Sequence, residues 1–148
     1  MEGIRLFTAQ HKPTTSERMK IVDFLFEELG AYGDSKTAIE KCMAFALGET
    51  PKSMGGFVLL IRDDTKNIRG AAIVNETGMT DYIPENILVY IAVHHEARGQ
   101  GIGKKLIAKI QETAKGDIAL HVDPDNPAIR LYKRMGFTQP YLEMRYHS

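Results

Sequence analysis

Ile87-Leu88-Val89-Tyr90-Ile91-Ala92-Val93-His94-His95-Glu96-Ala97-Arg98-Gly99-Gln100-Gly101-Ile102-Gly103-Lys104 is the stretch that decides the fold. Ile87–Val93 is apolar at every position, which predicts a central strand covered on both faces. A helix follows through about Lys115, with Ile102, Leu106, Ile107 and Ile110 as its inner face. Between strand and helix, alternating glycines tolerate positive φ and carry no Cβ, so backbone N–H groups can turn toward one point. The first helical turn adds unpaired N–H donors and the positive end of the helix dipole. Together with Arg98 and Lys104 this forms an anion site suited to phosphate. The alternative is a tight strand-to-helix turn that binds nothing.

Spacing removes two nucleotide-binding motifs. A Walker loop needs four residues between its first glycine and the Gly-Lys pair, then Ser or Thr. Here three residues separate Gly99 from Gly103, and Lys105 follows Lys104. A dinucleotide fingerprint needs G-x-G-x-x-G, and Lys104 stands where its third glycine would fall.

Working outward, Gly116-Asp117 turns the chain into a short strand, Ile118–Val122. Strand, helix and strand with short links make one parallel crossover unit. Asp123-Pro124-Asp125-Asn126-Pro127 caps a last helix through about Met135, which Gly136 stops; Phe137 and Tyr141–Tyr146 are expected to form closing strand structure. Upstream, Ile4–Thr8 reads as a first strand. Thr14 and Glu17, at capping-box spacing, open a helix with Met19, Val22, Phe26 and Leu29 at helical intervals up to Gly30. A second helix begins at Asp34 or Ser35 and places Ala38, Ile39, Cys42, Met43 and Ala46 on one face. Phe57–Ile61 and Gly70–Asn75 form a hairpin across an Asp63–Asn67 turn. The expected architecture is one α+β domain over residues 1–148: a mixed, mostly antiparallel central sheet, helices on both faces, and one parallel βαβ unit.

Composition sets the outer limits. The chain has 148 residues, 43% of them hydrophobic and 26% charged, which fits a folded globular protein. Cys42 is the only cysteine, which rules out an internal disulfide framework and fits a reducing compartment. No apolar run approaches the roughly 20 residues of a bilayer span, and the N-terminus lacks a signal-peptide core. A cytoplasmic location without membrane attachment is expected. Nineteen basic residues balance nineteen acidic ones, which argues against a general nucleic-acid binder. Residues 1–93 carry 10 basic and 13 acidic side chains, and residues 94–148 carry 9 and 6. The distribution suits an anionic cofactor near the C-terminal part.

The residues then resemble a known family, the GNAT superfamily of acetyl-CoA-dependent N-acyltransferases. Arg98-Gly99-Gln100-Gly101-Ile102-Gly103, approached through Ile91–Ala97, is similar to its cofactor-binding signature. A second block, Asn126-Pro127-Ala128-Ile129-Arg130-Leu131-Tyr132-Lys133-Arg134-Met135-Gly136-Phe137, is similar to a later motif of the same family. The match covers roughly Ile87 to Phe137. Only eleven residues follow Phe137, where family members form a longer hairpin.

The resemblance implies acetyl-CoA as co-substrate, no metal, and a cleft where strands Ile87–Val93 and Ile118–Val122 splay apart. It implies that the pyrophosphate sits on Gly99, Gln100, Gly101, Ile102, Gly103 and Lys104 near Arg98. The pantetheine arm would pair with the backbone of Ile91 and Val93 and reach Asn126, which could equally cap the last helix. Tyr132 would hydrogen-bond the departing thiolate. The amine's proton acceptor stays open. Glu85, two residues before Ile87 on the same strand face, is the candidate, or else a solvated residue at the strand entrance.

His94-His95-Glu96 matches no metal-ligand spacing and reads as solvated loop, and His121 as packed or bordering the cleft. The acceptor is expected to be a small-molecule or peptide amine, and Glu27, Glu28, Asp34, Asp81 and Glu85 could attract a cationic one. A homodimer is compatible with the resemblance. A coenzyme A-binding sensor or structural module of the same fold is the alternative to an enzyme.

Overall fold

The structure is a computed structural model and describes residues 3–148. Along the chain run β1 (Arg5–Phe7), α1 (Thr15–Leu29), a 3-10 turn at Gly30–Tyr32 and α2 (Lys36–Ala46). Then come β2 (Gly56–Arg62), β3 (Ile68–Glu76), β4 (Asn86–Val93) and a 3-10 turn at His95–Ala97. The last elements are α3 (Ile102–Thr113), β5 (Ile118–Ala119) and α4 (Ile129–Arg134). The five strands form one sheet in sequence order, antiparallel from β1 to β4, with β5 parallel to β4. The mixed sheet and single βαβ unit are those expected.

Local chemistry sets the helix ends. Thr14 Oγ1 accepts from the Glu17 N–H at 3.1 Å while Glu17 Oε1 accepts from the Thr14 N–H at 2.9 Å, a complete capping box. Ser35 Oγ caps α2 by accepting from Ala38 N–H. The buried stripe of α1 is Ile21, Val22 and Leu25. Met19 and Phe26, expected on that stripe, face outward, and Phe26 carries the Lys36 ammonium 5.3 Å above its ring.

Side chains alternate across the sheet into two cores. Val58, Leu60, Ala71 and Ile73 pack under α1 and α2; Phe57, Leu59, Ala72 and Val74 pack with Leu106 and Ile110 of α3. β4 breaks the alternation. Ile73 pairs with Tyr90 but Val74 pairs with Leu88, so Val89 is an extra residue with no partner on β3. At this bulge, Val89 and Tyr90 both belong to the α1/α2 side, whereas Leu88 and Ile91 belong to the α3 side. β4 is thus covered on both faces, as its apolar run predicts, although Ile87, Val89, Ile91 and Val93 are only half-buried.

Two further expectations are corrected. The strand predicted at Ile118–Val122 pairs with β4 only at Asn86–Ile118 and Ile87–Ala119. Beyond Ile87 the β5 side of β4 is unpaired. The joined end is held by Asn86, buried at the head of β4, whose Nδ2 donates to the carbonyls of Lys115 at 2.8 Å and Asp117 at 3.2 Å. The strand expected in Tyr141–Tyr146 does not form; Tyr141, Leu142, Met144 and Tyr146 are exposed, and Phe137 instead packs edge-on to Tyr132.

Candidate active site

A cavity of about 1050 Å³ opens where β4 and β5 part. The edge of β4 from Leu88 to Val93 forms one wall, the start of α3 another, and Leu120–Val122 with α4 a third. The backbone of β4 is free to bind there. His94 N–H donates to Arg69 on β3 at 2.9 Å, so alternation turns the N–H and C=O groups of Ile91 and Val93 toward the unpaired edge. The Val93 carbonyl meets Nε of Arg98 at 3.4 Å.

At the end of that edge the turn takes the conformation its glycines allow. Gly99 and Gly101 have φ of +80° and +82°, and a Cβ on either would meet open space. Gly101 is the N-cap of α3, and no side chain caps the helix. The first internal bond is Lys105 N–H to Gly101 C=O, so the N–H groups of Ile102, Gly103 and Lys104 have no helical partner. The cavity reaches Arg98, Gly99, Gly101, Ile102, Gly103 and Lys104; Gln100 does not line it.

The other residues singled out from the sequence separate into two groups. Asn126 lines the cavity and its Oδ1 accepts from the Ala128 N–H at 2.9 Å, closing the turn before α4. Tyr132 lines it too, half-buried and with no polar side-chain contact among the described residues; burial raises its phenol above the ordinary value. His121 borders the cavity but is exposed, with Nδ1 at 3.6 Å from Glu143. Glu85 does not line the cavity. Its Oε2 accepts from Thr80 Oγ1 at 2.7 Å and its Oε1 from Asp117 N–H at 2.9 Å. These bonds, the one from Thr80 foremost, lower its pKa. So placed, Glu85 braces the β4–β5 junction and is a poor proton acceptor for an amine in the cavity.

What sequence reasoning misses are contacts across long separations, among residues it names only singly. Glu28, at the end of α1, lies on the cavity wall with its side chain nearly buried. It accepts from the His95 backbone N–H and from His95 Nδ1, both at 3.0 Å, and Arg98 Nη2 is 3.6 Å away. Both histidines are thus tied to α1, with His95 exposed as expected and His94 half-buried. Glu28, His94 and His95 bring ligand atoms within 4.8 Å of one another. The two rings are stacked, however, with centroids 4.3 Å apart and planes 23° from parallel, so their in-plane lone pairs do not converge on one ion. His94 Nδ1 is also occupied by the Glu96 N–H at 3.1 Å. Also on the α1/α2 side of β4, Tyr90 lines the cavity and donates its phenol proton to Asp34 at 2.5 Å. Burial and this bond raise the Tyr90 pKa.

Comparison with known proteins points one way. Residues 55–139, more than half of the chain, match the family model described as "Acetyltransferase (GNAT) domain". The chain is 44% identical over 57 residues to a 5-NmdU N-acetyltransferase of Pseudomonas phage PaMx11, over 37% of this chain and 41% of that one. It is 32% identical over 84 residues to the acetyltransferase Atu2258 of Agrobacterium fabrum, over 55% and 58% respectively. The chain thus spans less than two thirds of either relative. The aminoglycoside 6'-N-acetyltransferase AAC(6')-Ig of Acinetobacter haemolyticus superposes with a TM-score of 0.71, at 15% identity over 99% of this chain and 98% of that one. At that identity the likeness is one of fold. No helix among the described residues is long and apolar enough to cross a membrane.

Proposed function

Because the chain belongs to the GNAT acetyltransferase family, we propose that it moves an acetyl group from acetyl-CoA to a primary amine within a ternary complex. One observation carries this reading: the unpaired edge of β4 runs directly to the uncapped start of α3. A ligand that is extended and amide-bearing at one end and doubly phosphorylated at the other matches both. The backbone of Ile91 and Val93 would hold the amides as an added strand does. The N–H groups of Ile102, Gly103 and Lys104, with Gly99, Gln100 and Gly101 shaping the turn and Arg98 adding charge, would hold the diphosphate. Asn126 supports the turn beside that arm.

Acetyl-CoA, when bound, would supply a thioester whose carbonyl takes up the neutral acceptor nitrogen; as the C–S bond breaks, the proton lost by that nitrogen passes through solvent and balances the thiolate released as free coenzyme A. Tyr132 is the residue to stabilise the charge that builds on sulfur. A free thiol has a pKa of about 8.5 and a phenol about 10, and burial raises Tyr132 further, so complete proton transfer is uphill. Tyr132 therefore acts as a hydrogen-bond donor that keeps most of its proton. The same reading takes residues 1–148 as one acetyltransferase domain acting in the cytoplasm on a small-molecule or peptide amine.

Two measurements test it. Acetyl-CoA should raise the melting temperature strongly while ATP and NAD do not, since only a ligand of the native state stabilises it. Free coenzyme A should then appear when an amine panel is added. Stabilisation without release would instead identify a coenzyme A-binding module, and no stabilisation would end both readings.

A further inference from the structure

We infer that Asp34 selects the acceptor, holding a second, non-reacting ammonium group, so that the preferred substrate class is a diamine or a larger polycation. The inference rests on the acetyltransferase reading above. Asp34 is exposed and lies just outside the cavity, whose wall includes Ala31 and Tyr32, three and two residues before it. The carboxylate is tied to the cavity wall through Tyr90, whose phenol donates to Oδ2 at 2.5 Å. It forms no salt bridge with any described residue, unlike Glu28, whose charge meets His95 and Arg98.

The only proton on the Tyr90 oxygen is spent on Asp34, and the nearby Cys42 thiol on the same side of the sheet offers no more than a weak S–H donor. A ligand reaching Asp34 must therefore bring N–H donors and positive charge. The Tyr32 ring, exposed on the cavity wall, adds a face that attracts a cation. The reacting amine has to be neutral to attack, so the charge that Asp34 retains belongs to a second amine.

Steady-state kinetics at saturating acetyl-CoA would compare diaminopentane with pentylamine, acceptors of equal length that differ by one ammonium. We expect kcat/KM to favour the diamine by about tenfold or more, the worth of one charge-assisted contact. In Asp34→Asn the preference should largely vanish through a rise in KM for the diamine alone, with KM for acetyl-CoA unchanged, and Asp34→Glu should restore part of it. Tyr90→Phe leaves the carboxylate charge but unties it from the cavity wall, so the preference should fall to a value between those of the wild type and Asp34→Asn. Equal loss on both amines in Asp34→Asn, or a preference that the substitution leaves intact, overturns the inference. Calorimetric titration of the two amines into the coenzyme A-loaded protein makes the same comparison without turnover. An inactive protein that still binds the diamine through Asp34 thus counts against acetyl transfer alone.

Discussion

Gly103 of α3 and Leu131 of α4 approach so closely that a Cβ on Gly103 would lie 2.9 Å from Cδ2 of Leu131. The three glycines of the turn therefore differ in purpose. Gly99 and Gly101 are needed for their backbone angles, whereas Gly103 is needed for the approach of the helix that carries Tyr132.

Substitution separates these purposes. In Gly103→Ala the gain in helix propensity of about 1 kcal/mol offsets an overpacking cost of about 1 kcal/mol, because the crowded atom is the end of a leucine. Chemical denaturation should show little change in stability, while kcat falls as Leu131 displaces α4. Gly101→Ala has room for its methyl but must hold φ near +82°, and should lose about 1 kcal/mol of stability. A large loss of stability in the first variant would refute the assignment.

Tyr132→Phe should keep affinity for acetyl-CoA and lower turnover by about tenfold or more, the range of general-acid effects. Its ring remains packed against Phe137. Calorimetry for binding and stopped-time assays for turnover read the two effects separately, and unchanged turnover removes the role.

Glu49 gives the fold an acid-sensitive tie. Two hydrogen bonds from Arg18, at 2.7 and 2.8 Å, and Lys12 at 3.0 Å lower its pKa to about 2 from an ordinary 4.5. A carboxyl depressed in the folded state contributes stability above its unfolded pKa and loses it as pH falls through the folded one. In melting curves, Glu49→Gln should be destabilised at pH 7 by less than about 1 kcal/mol, as for other partly exposed pairs. The difference should shrink between about pH 4.5 and 2. A gap that widens on acidification would contradict the sign.

Cys42 should be inert in the native state. Burial pushes its thiol up to about 12, so almost none is thiolate at neutral pH. Ellman's reagent should label it in denaturant at the rate of an ordinary thiol and far more slowly in buffer. Rapid native labelling would show that α2 opens.

What the sequence made legible was local. The stripe Ile102, Leu106, Ile107 and Ile110 is buried as its spacing predicts, and the α1 capping box forms from two residues three apart. Features that depend on how distant segments meet were not legible. The bulge at Val89 is a property of register against β3, and no residue type in Ile87–Val93 marks it. Tyr90 finds Asp34 across 56 positions and His95 finds Glu28 across 67. Glu85 has the chemistry of a base, but its neighbours Thr80 and Asp117 consume both oxygens. Tyr141–Tyr146 has strand-like alternation, yet alternation needs a facing edge, and none receives it.

The unmatched residue at Val89 implies that this protein's receptivity is a matter of counting. Deleting Val89 should restore even pleating along β4 and move Ile87 and Leu88 to the opposite faces, so the strand edge that walls the cavity would present other groups. A deletion scan across the strand, read by melting temperature and by acetyl-CoA titration, would show whether folding survives where ligand capture does not.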